Sequence, residues 1–174
     1  MKLEEREDVD FDIEFWNDLK NRGQGLGTEQ ISKSDWIRMF DNPTNLLVLL
    51  ERKDFIIRKK DGTRIGIIWH LLNLPYRVME VACSLVPSER GKGYATEATQ
   101  LMVDYLFLSY NIFRIQALTD VEHKAAQRVL EKVGFKIEGT IRKLGFERGK
   151  QRDCYLHSIL REEWKEPKIL TKTD

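Results

Sequence analysis

The chain has 174 residues, 41% of them hydrophobic and 33% charged, with a formal net charge of +1 and a mean hydropathy of −0.46. That length suits one domain, 1–174, with a full core, and the composition is too apolar for disorder and too polar for a membrane-embedded chain. With 29 basic against 28 acidic residues, bulk charge gives no hint of a nucleic-acid partner, and two cysteines without CxxC spacing, Cys83 and Cys154, fit a reducing cytoplasm better than a disulfide scaffold.

The acidic start Met1–Asp8 lacks the apolar core of a secretory leader. The longest aliphatic run, Leu46–Leu50, is far too short to span a bilayer. From Val9 to Leu19, the apolar residues Phe11, Ile13, Phe15, Trp16 and Leu19 suit a short amphipathic helix. The glycines Gly23, Gly25 and Gly27 end it. A second helix is expected from a Ser32 or Ser34 cap, carrying Trp36, Ile37 and Phe40 inward and stopping at Pro43.

Two β-branched runs follow, Phe55–Ile57 and Ile65–Trp69, joined through Asp61-Gly62, which is a strong hairpin signal because both residues tolerate positive φ. Val78–Val86 reads as a strand ended by Pro87. Ala95–Leu108 reads as a helix with an apolar stripe through Ala98, Leu101, Met102, Tyr105 and Leu106. A strand over Ile112–Leu118, a helix over Lys124–Val133 closed by Gly134, and a strand over Phe135–Ile141 complete the alternation. Gln151–Leu160 pairs back across a turn at Glu147–Lys150. The order describes an α+β layered domain with a mixed sheet.

Two glycine-rich segments compete as an anion cradle. The Gly23–Gly27 segment follows a helix rather than a strand, so a helix-ending loop is the better reading there. Ser88-Glu89-Arg90-Gly91-Lys92-Gly93-Tyr94-Ala95 lies between a strand and a helix. Its glycines admit close backbone approach, the helix start offers unpaired N–H groups, and Arg90 and Lys92 add charge. It lacks the ending of a Walker loop, and an ordinary βα turn is the competing reading.

Arg90-x-x-Gly93-x-Ala95 resembles the R/Q-x-x-G-x-G/A signature of the GNAT superfamily of acetyl-CoA-dependent N-acetyltransferases. The stretch Glu80–Glu97 and the segment Lys132-Val133-Gly134-Phe135-Lys136-Ile137-Glu138-Gly139 look like its Rim-type branch, which acetylates N-termini of ribosomal proteins, and Arg142 with Asp153 through Trp164 also fits. The resemblance covers residues 8–165. It implies a GNAT-like fold, with a mixed, mostly antiparallel central sheet and helices on both faces. It also implies acetyl-CoA as co-substrate, no metal, and transfer to a primary amine on a protein N-terminus or small molecule by direct attack on the thioester.

Residue by residue, the resemblance gives backbone amides of Gly91, Lys92, Gly93, Tyr94 and Ala95, helped by Arg90, to the pyrophosphate. The strand end Leu85-Val86 pairs with pantetheine, and an amide near Leu85 polarises the thioester carbonyl. Glu80, in an apolar strand, is the candidate general base, since desolvation makes a carboxylate a better proton acceptor. The bland reading has Glu80 only ordering water or bonding a neighbouring strand. The chain departs from the family twice. His123-Lys124-Ala125-Ala126 stands where Asn-x-x-Ser is common, so His123 either contacts the cofactor or merely enters a helix. Leu130 stands where many relatives place an acidic tyrosine, leaving Tyr155, Cys154 or solvent to protonate the thiolate.

The histidines His70, His123 and His157 lack metal-site spacing. The basic hairpin residues Arg142, Lys143, Arg148, Lys150 and Arg152 suit the cofactor's 3′-phosphate, an acidic substrate or RNA, with a solvated turn as the default. Membrane and nucleic acid are not expected partners, and a homodimer is left open. The rival class is a non-catalytic acyl-CoA-binding regulatory module.

Overall fold

The computed structural model describes residues 2–5, 9–22, 32, 34, 50–73, 76–147 and 149–165. The strands are β1 (Lys2–Glu5), β2 (Leu50–Arg58), β3 (Arg64–Asn73), β4 (Val78–Leu85), β5 (Arg114–Asp120), β6 (Lys136–Glu147) and β7 (Lys150–Leu160). The helices are α1 (Val9–Asn17), α2 (Leu19–Arg22), α3 (Tyr94–Ser109) and α4 (Lys124–Val133). One sheet has the order β1-β2-β3-β4-β5-β7-β6, and among the described residues only its β4–β5 pair is parallel. This is the mixed, mostly antiparallel sheet the sequence predicts.

The local rules act where expected. Gly62 takes φ +88° between Lys59 and Thr63, whose carbonyl accepts from the Lys59 N–H at 2.9 Å, and this turn aligns β2 with β3. Gly134 takes φ +107° past the end of α4. Its N–H donates to the Leu130 carbonyl at 3.1 Å and that of Phe135 to the same carbonyl at 3.0 Å, which terminates the helix and starts the chain toward β6.

Strand alternation divides the core between two faces. On one face Ile68, Met79, Val81, Ile115, Ala117 and Ile159 pack with Ala98, Met102 and Leu106 of α3 and with Leu130 and Val133 of α4. On the other, Ile67 and Trp69 pack with Phe15 and Trp16 of α1. Helices therefore cover both faces.

Several boundaries differ from the sequence reading. The expected Val9–Leu19 helix breaks at Asp18, whose Oδ1 accepts from the Lys20 N–H at 2.9 Å and so caps a separate turn, α2. β1 was not expected, since Lys2–Glu5 has no apolar alternation; backbone pairing with β2 makes it a strand. β5 sits two residues later than expected. β6 runs on past Ile141 to Glu147 because an irregularity between Ile141 and Gly145, with Lys143 at φ +54°, carries the pairing through. The expected helix beyond Ser34 and the Gly23–Gly27 loop lie outside the described residues.

Candidate active site

β4 is laddered to β3 over its whole length, with Val78 opposite Asn73 and Leu85 opposite Gly66. To β5 it is joined only by Met79 opposite Ile115 and Glu80 opposite Gln116. Beyond that rung the two strands diverge and open a fork. The Val86 N–H donates to the Ile65 carbonyl at 2.9 Å. Backbone groups alternate along a strand, so the N–H groups of Cys83 and Leu85 point away from β3 and into the fork.

A cavity of about 610 Å³ fills this opening, within the size range of small-molecule sites. Its wall includes Val81, Cys83 and Leu85 of β4 from one side of the sheet and Ala82 and Ser84 of β4 with Trp69 of β3 from the other, so the opening passes through the plane of the sheet. A long thioester entering from the α3–α4 side and an amine entering from the α1 side would meet at the fork. That is the topology a two-substrate transfer needs.

At the wide end lies the glycine loop. Gly91 and Gly93 take φ +76° and +90°, and a methyl group added at either would meet nothing within 4 Å. The loop therefore presents bare backbone to open space. Gly93 is the N-cap of α3 without a side-chain cap. Among the described residues, no protein acceptor takes a backbone N–H from Gly91 through Thr96. Such a cluster of N–H groups at a helix start attracts an anion.

The structure brings Leu85, Arg90, Gly91, Gly93, Ala95 and His123 to the cavity wall. It turns other named side chains elsewhere. Lys92 Nζ pairs with Glu89 Oε2 at 3.1 Å, and the Val86 and Tyr94 side chains pack into the core. Arg90 borders the cavity, but its guanidinium donates to carbonyls of Leu85, Lys20 and Asn21. The expected help to a phosphate is therefore not how the side chain is engaged.

Glu80 occupies the last paired rung of the fork. It shares the α1 face with its β3 partner Leu71 and with Ala82 and Ser84. Gln116 Nε2 donates to Glu80 Oε2 at 3.1 Å, leaving Oε1 clear of that bond. Sequence reading missed Gln116, because nothing in the chain announces which β5 residue stands beside Glu80.

His123 is the N-cap of α4 and contributes no capping side-chain bond. Arg128 and Lys132, one turn apart on α4, also border the cavity; the sequence marks Lys132 only as the start of the Rim-like segment and Arg128 not at all. Of the hairpin cations, Arg152 reaches the cavity, where its Nε donates to the buried Asp120 Oδ2 at 2.8 Å and its Nη2 to Glu122. Arg142, Lys143 and Lys150 are exposed on the hairpin, and Arg148 lies outside the described residues.

Two thiols border the cavity. Burial pushes the Cys83 thiol up to about 12. Burial, then the charge of Asp120, also raises that of Cys154. Both are kept protonated near neutral pH, so neither offers a thiolate for a covalent acetyl intermediate. Leu130 is buried at the cavity wall. Tyr155 lies under Lys124, 5.9 Å from its ring centroid, and not on the wall.

A family model for the acetyltransferase (GNAT) domain matches residues 32–136. An uncharacterized N-acetyltransferase p20 from Bacillus licheniformis is 28% identical over 163 residues, 92% of this chain and 91% of that protein. Spermidine N(1)-acetyltransferase from Escherichia coli (strain K12) is 29% identical over 105 residues, 60% of this chain and 56% of that one. Among solved structures, spermidine N-acetyltransferase from Vibrio cholerae in complex with CoA and spermine matches with a TM-score of 0.75 at 22% identity, over 93% of this chain and 95% of that one. The chain belongs to the GNAT acetyltransferase family, as an N-acetyltransferase whose co-substrate is acetyl-CoA. Among the described residues no helix is long and apolar enough to cross a membrane.

Proposed function

We propose that this enzyme acetylates a primary amine by direct attack on acetyl-CoA held in the β4–β5 fork, with Glu80 as general base. The observation that carries the reading is the loss of pairing between β4 and β5 immediately beyond the Glu80–Gln116 rung. The fork leaves backbone donors of β4 for pantetheine, and the loop at its wide end leaves N–H groups for the pyrophosphate.

In this reading Gly91, Lys92, Gly93, Tyr94 and Ala95 hold the pyrophosphate through their backbone amides. Leu85 and Val86 lie along the pantetheine, and the Leu85 N–H donates to the thioester oxygen, where charge develops. Arg128 and Lys132 on α4 suit the 3′-phosphate better than the exposed hairpin cations, because both border the cavity. His123 sits where its ring can reach the cofactor from the start of α4.

The amine approaches from the α1 face. Glu80 Oε1 takes the ammonium proton, the nitrogen bonds to the carbonyl carbon, and the C–S bond breaks with its electron pair on sulfur. Solvent protonates the thiolate, a good leaving group near neutral pH. The raised thiols of half-buried Cys83 and buried Cys154 support a single displacement over a ping-pong route. The match to acetyltransferase relatives, with a carboxylate, Glu80, at the rung where the fork opens, disfavours the regulatory-module alternative.

The acceptor is read as a protein N-terminus, as in the Rim-type branch, or a small polyamine, as the names of the spermidine-acetylating relatives suggest. The Lys132–Gly139 segment supports the Rim-type reading. The chain is read as one cytoplasmic acetyltransferase domain. The exposed Ile137, Leu144 and Phe146 on edge strand β6 support a homodimer. The test is CoA release with spermine, spermidine and N-terminally free peptides, run in parallel on wild type and Glu80→Gln. Turnover of one amine that collapses in the variant upholds the reading. Binding of acetyl-CoA without turnover of any amine overturns it.

A further inference from the structure

Arg90, although it belongs to the glycine-loop signature, is spent on carbonyl groups. Its Nε donates to the Leu85 carbonyl at 3.0 Å, and its Nη2 donates to the carbonyls of Lys20 at 2.7 Å and Asn21 at 2.9 Å. The Asn21 carbonyl accepts a further bond from Ser84 Oγ at 2.6 Å. Asn21 itself is buried, and its Nδ2 donates back to the Phe15 carbonyl at 3.3 Å. Phe15 and Trp16 then pack on Ile67, with Trp16 and Trp69 edge to face at 5.3 Å. One guanidinium thus ties the C-terminal carbonyls of α2 to the tip of β4, across 69 or 70 positions of sequence. The planar fork of an arginine can serve several carbonyls at once, whereas a lysine ammonium is a single point.

We infer that Arg90 is a positioning residue that fastens the α1–α2 pair, the acceptor-side wall, to the β4 tip that carries the Leu85 N–H, rather than a phosphate ligand. The inference rests on the proposed reading in one respect, that the amine enters from the α1 face. The guanidinium sets the distance between the two substrates' walls. Backbone N–H groups alone are left to meet the pyrophosphate.

Arg90→Lys keeps the charge and loses the fork, so it separates the two roles. If Arg90 braces α2, Arg90→Lys and Arg90→Ala behave alike. Hydrogen exchange of Lys20–Arg22 accelerates at least tenfold in both, and the acetyl-CoA dissociation constant measured by calorimetry stays within about threefold of wild type. KM for the acetylated member of a spermine, spermidine and free-N-terminus peptide panel rises about tenfold, with kcat changed far less. Should Arg90→Ala fail to fold, Ser84→Ala removes one donor from the Asn21 carbonyl and is expected to accelerate the same amides by a smaller factor. Unchanged exchange in α2, with acetyl-CoA affinity lost in Arg90→Ala and restored in Arg90→Lys, would overturn the inference and make Arg90 a phosphate ligand. Faster exchange with an unmoved acceptor KM would overturn the positioning role by a different route, showing that α1–α2 is not the acceptor wall.

Discussion

Along its β3 edge, strand β4 is paired from Val78 to Leu85, while along its β5 edge pairing ends at Glu80. The residues are the same; the neighbours differ. At the closed edge Gly66 lets β3 lie so near that an added methyl would come within 2.3 Å of the Ser84 carbonyl oxygen. At the open edge the tip of β4 is held by Arg90 and Ser84 toward α2, and its N–H groups face a cavity. One edge builds the fold and the other leaves backbone donors unspent for a substrate. Substitutions on the two edges should therefore fail in different ways.

The largest effect is expected at the rung where the edges part. Glu80→Gln keeps size and polarity and removes the basic oxygen, so kcat should fall ~10²-fold, or ~2.7 kcal/mol of barrier. Acetyl-CoA affinity by calorimetry should stay near wild type, and raising pH should restore part of the rate as free amine accumulates. An unchanged kcat and pH profile would make Glu80 a structural residue.

Gly66→Ala tests the closed edge. Its methyl would press on Ser84 and on the Leu85 side chain at 2.6 Å, and such overpacking costs ~1–3 kcal/mol. The expected outcome is a Tm lowered by several degrees in a thermal melt. A wild-type Tm would mean the β3–β4 edge is looser than its register indicates.

Gly93→Val tests the open edge. No neighbour blocks the side chain, but φ of +90° is strained for an L-residue by ~1–2 kcal/mol. Relieving that strain would turn the loop's N–H groups away from the position proposed for the pyrophosphate. Acetyl-CoA affinity should drop about tenfold or more while the Tm moves little, the reverse of Gly66→Ala. Unchanged affinity in a folded variant would remove the loop from the cofactor site.

The smallest effect lies beyond the fork, where β5 and β6 are tied by Arg114 and Glu138. Hydrogen bonds from Arg114, then from Ser158, hold the Glu138 carboxyl down to about 2. A lowered folded value means the pair adds stability above the ordinary carboxylate range and loses it as pH falls from about 4.5 toward about 2. The pair is exposed enough that Glu138→Gln should cost less than ~1 kcal/mol at neutral pH. Urea melts at neutral and acidic pH should show the variant nearing wild type as the acid limit is approached.

The sequence announced the parts of the site that depend on local chemistry. Gly91 and Gly93 between a strand and a helix mark a positive-φ backbone bare enough for close approach, and Gly62 and Gly134 mark positive φ in the same way. Glu80 stands out as a carboxylate in an apolar strand. What could not be read is long-range pairing. The fork is a property of which β5 residues lie beside β4, and period-2 patterning carries no register for a parallel pair. The Gln116 contact to Glu80 follows from that placement, and the Arg90 contacts follow from where α2 lies against the tip of β4. A basic residue in an anion loop reads as a phosphate ligand from sequence, and the carbonyl partners that Arg90 meets in the fold carry no local signal. The Asp18 break and the Lys143 irregularity were missed because one side chain or one unusual φ overrides an otherwise continuous pattern.

The asymmetry of β4 can be tested directly by titrating isotope-labelled protein with acetyl-CoA and following backbone amide resonances. The amides of Cys83 and Leu85, which face the fork, should shift strongly together with those of Gly91–Ala95. Those of Ala82 and Ser84, bonded toward β3, should move little. Shifts confined to the surface loops, or equal on both edges of β4, would contradict a cofactor held by the open edge of the fork.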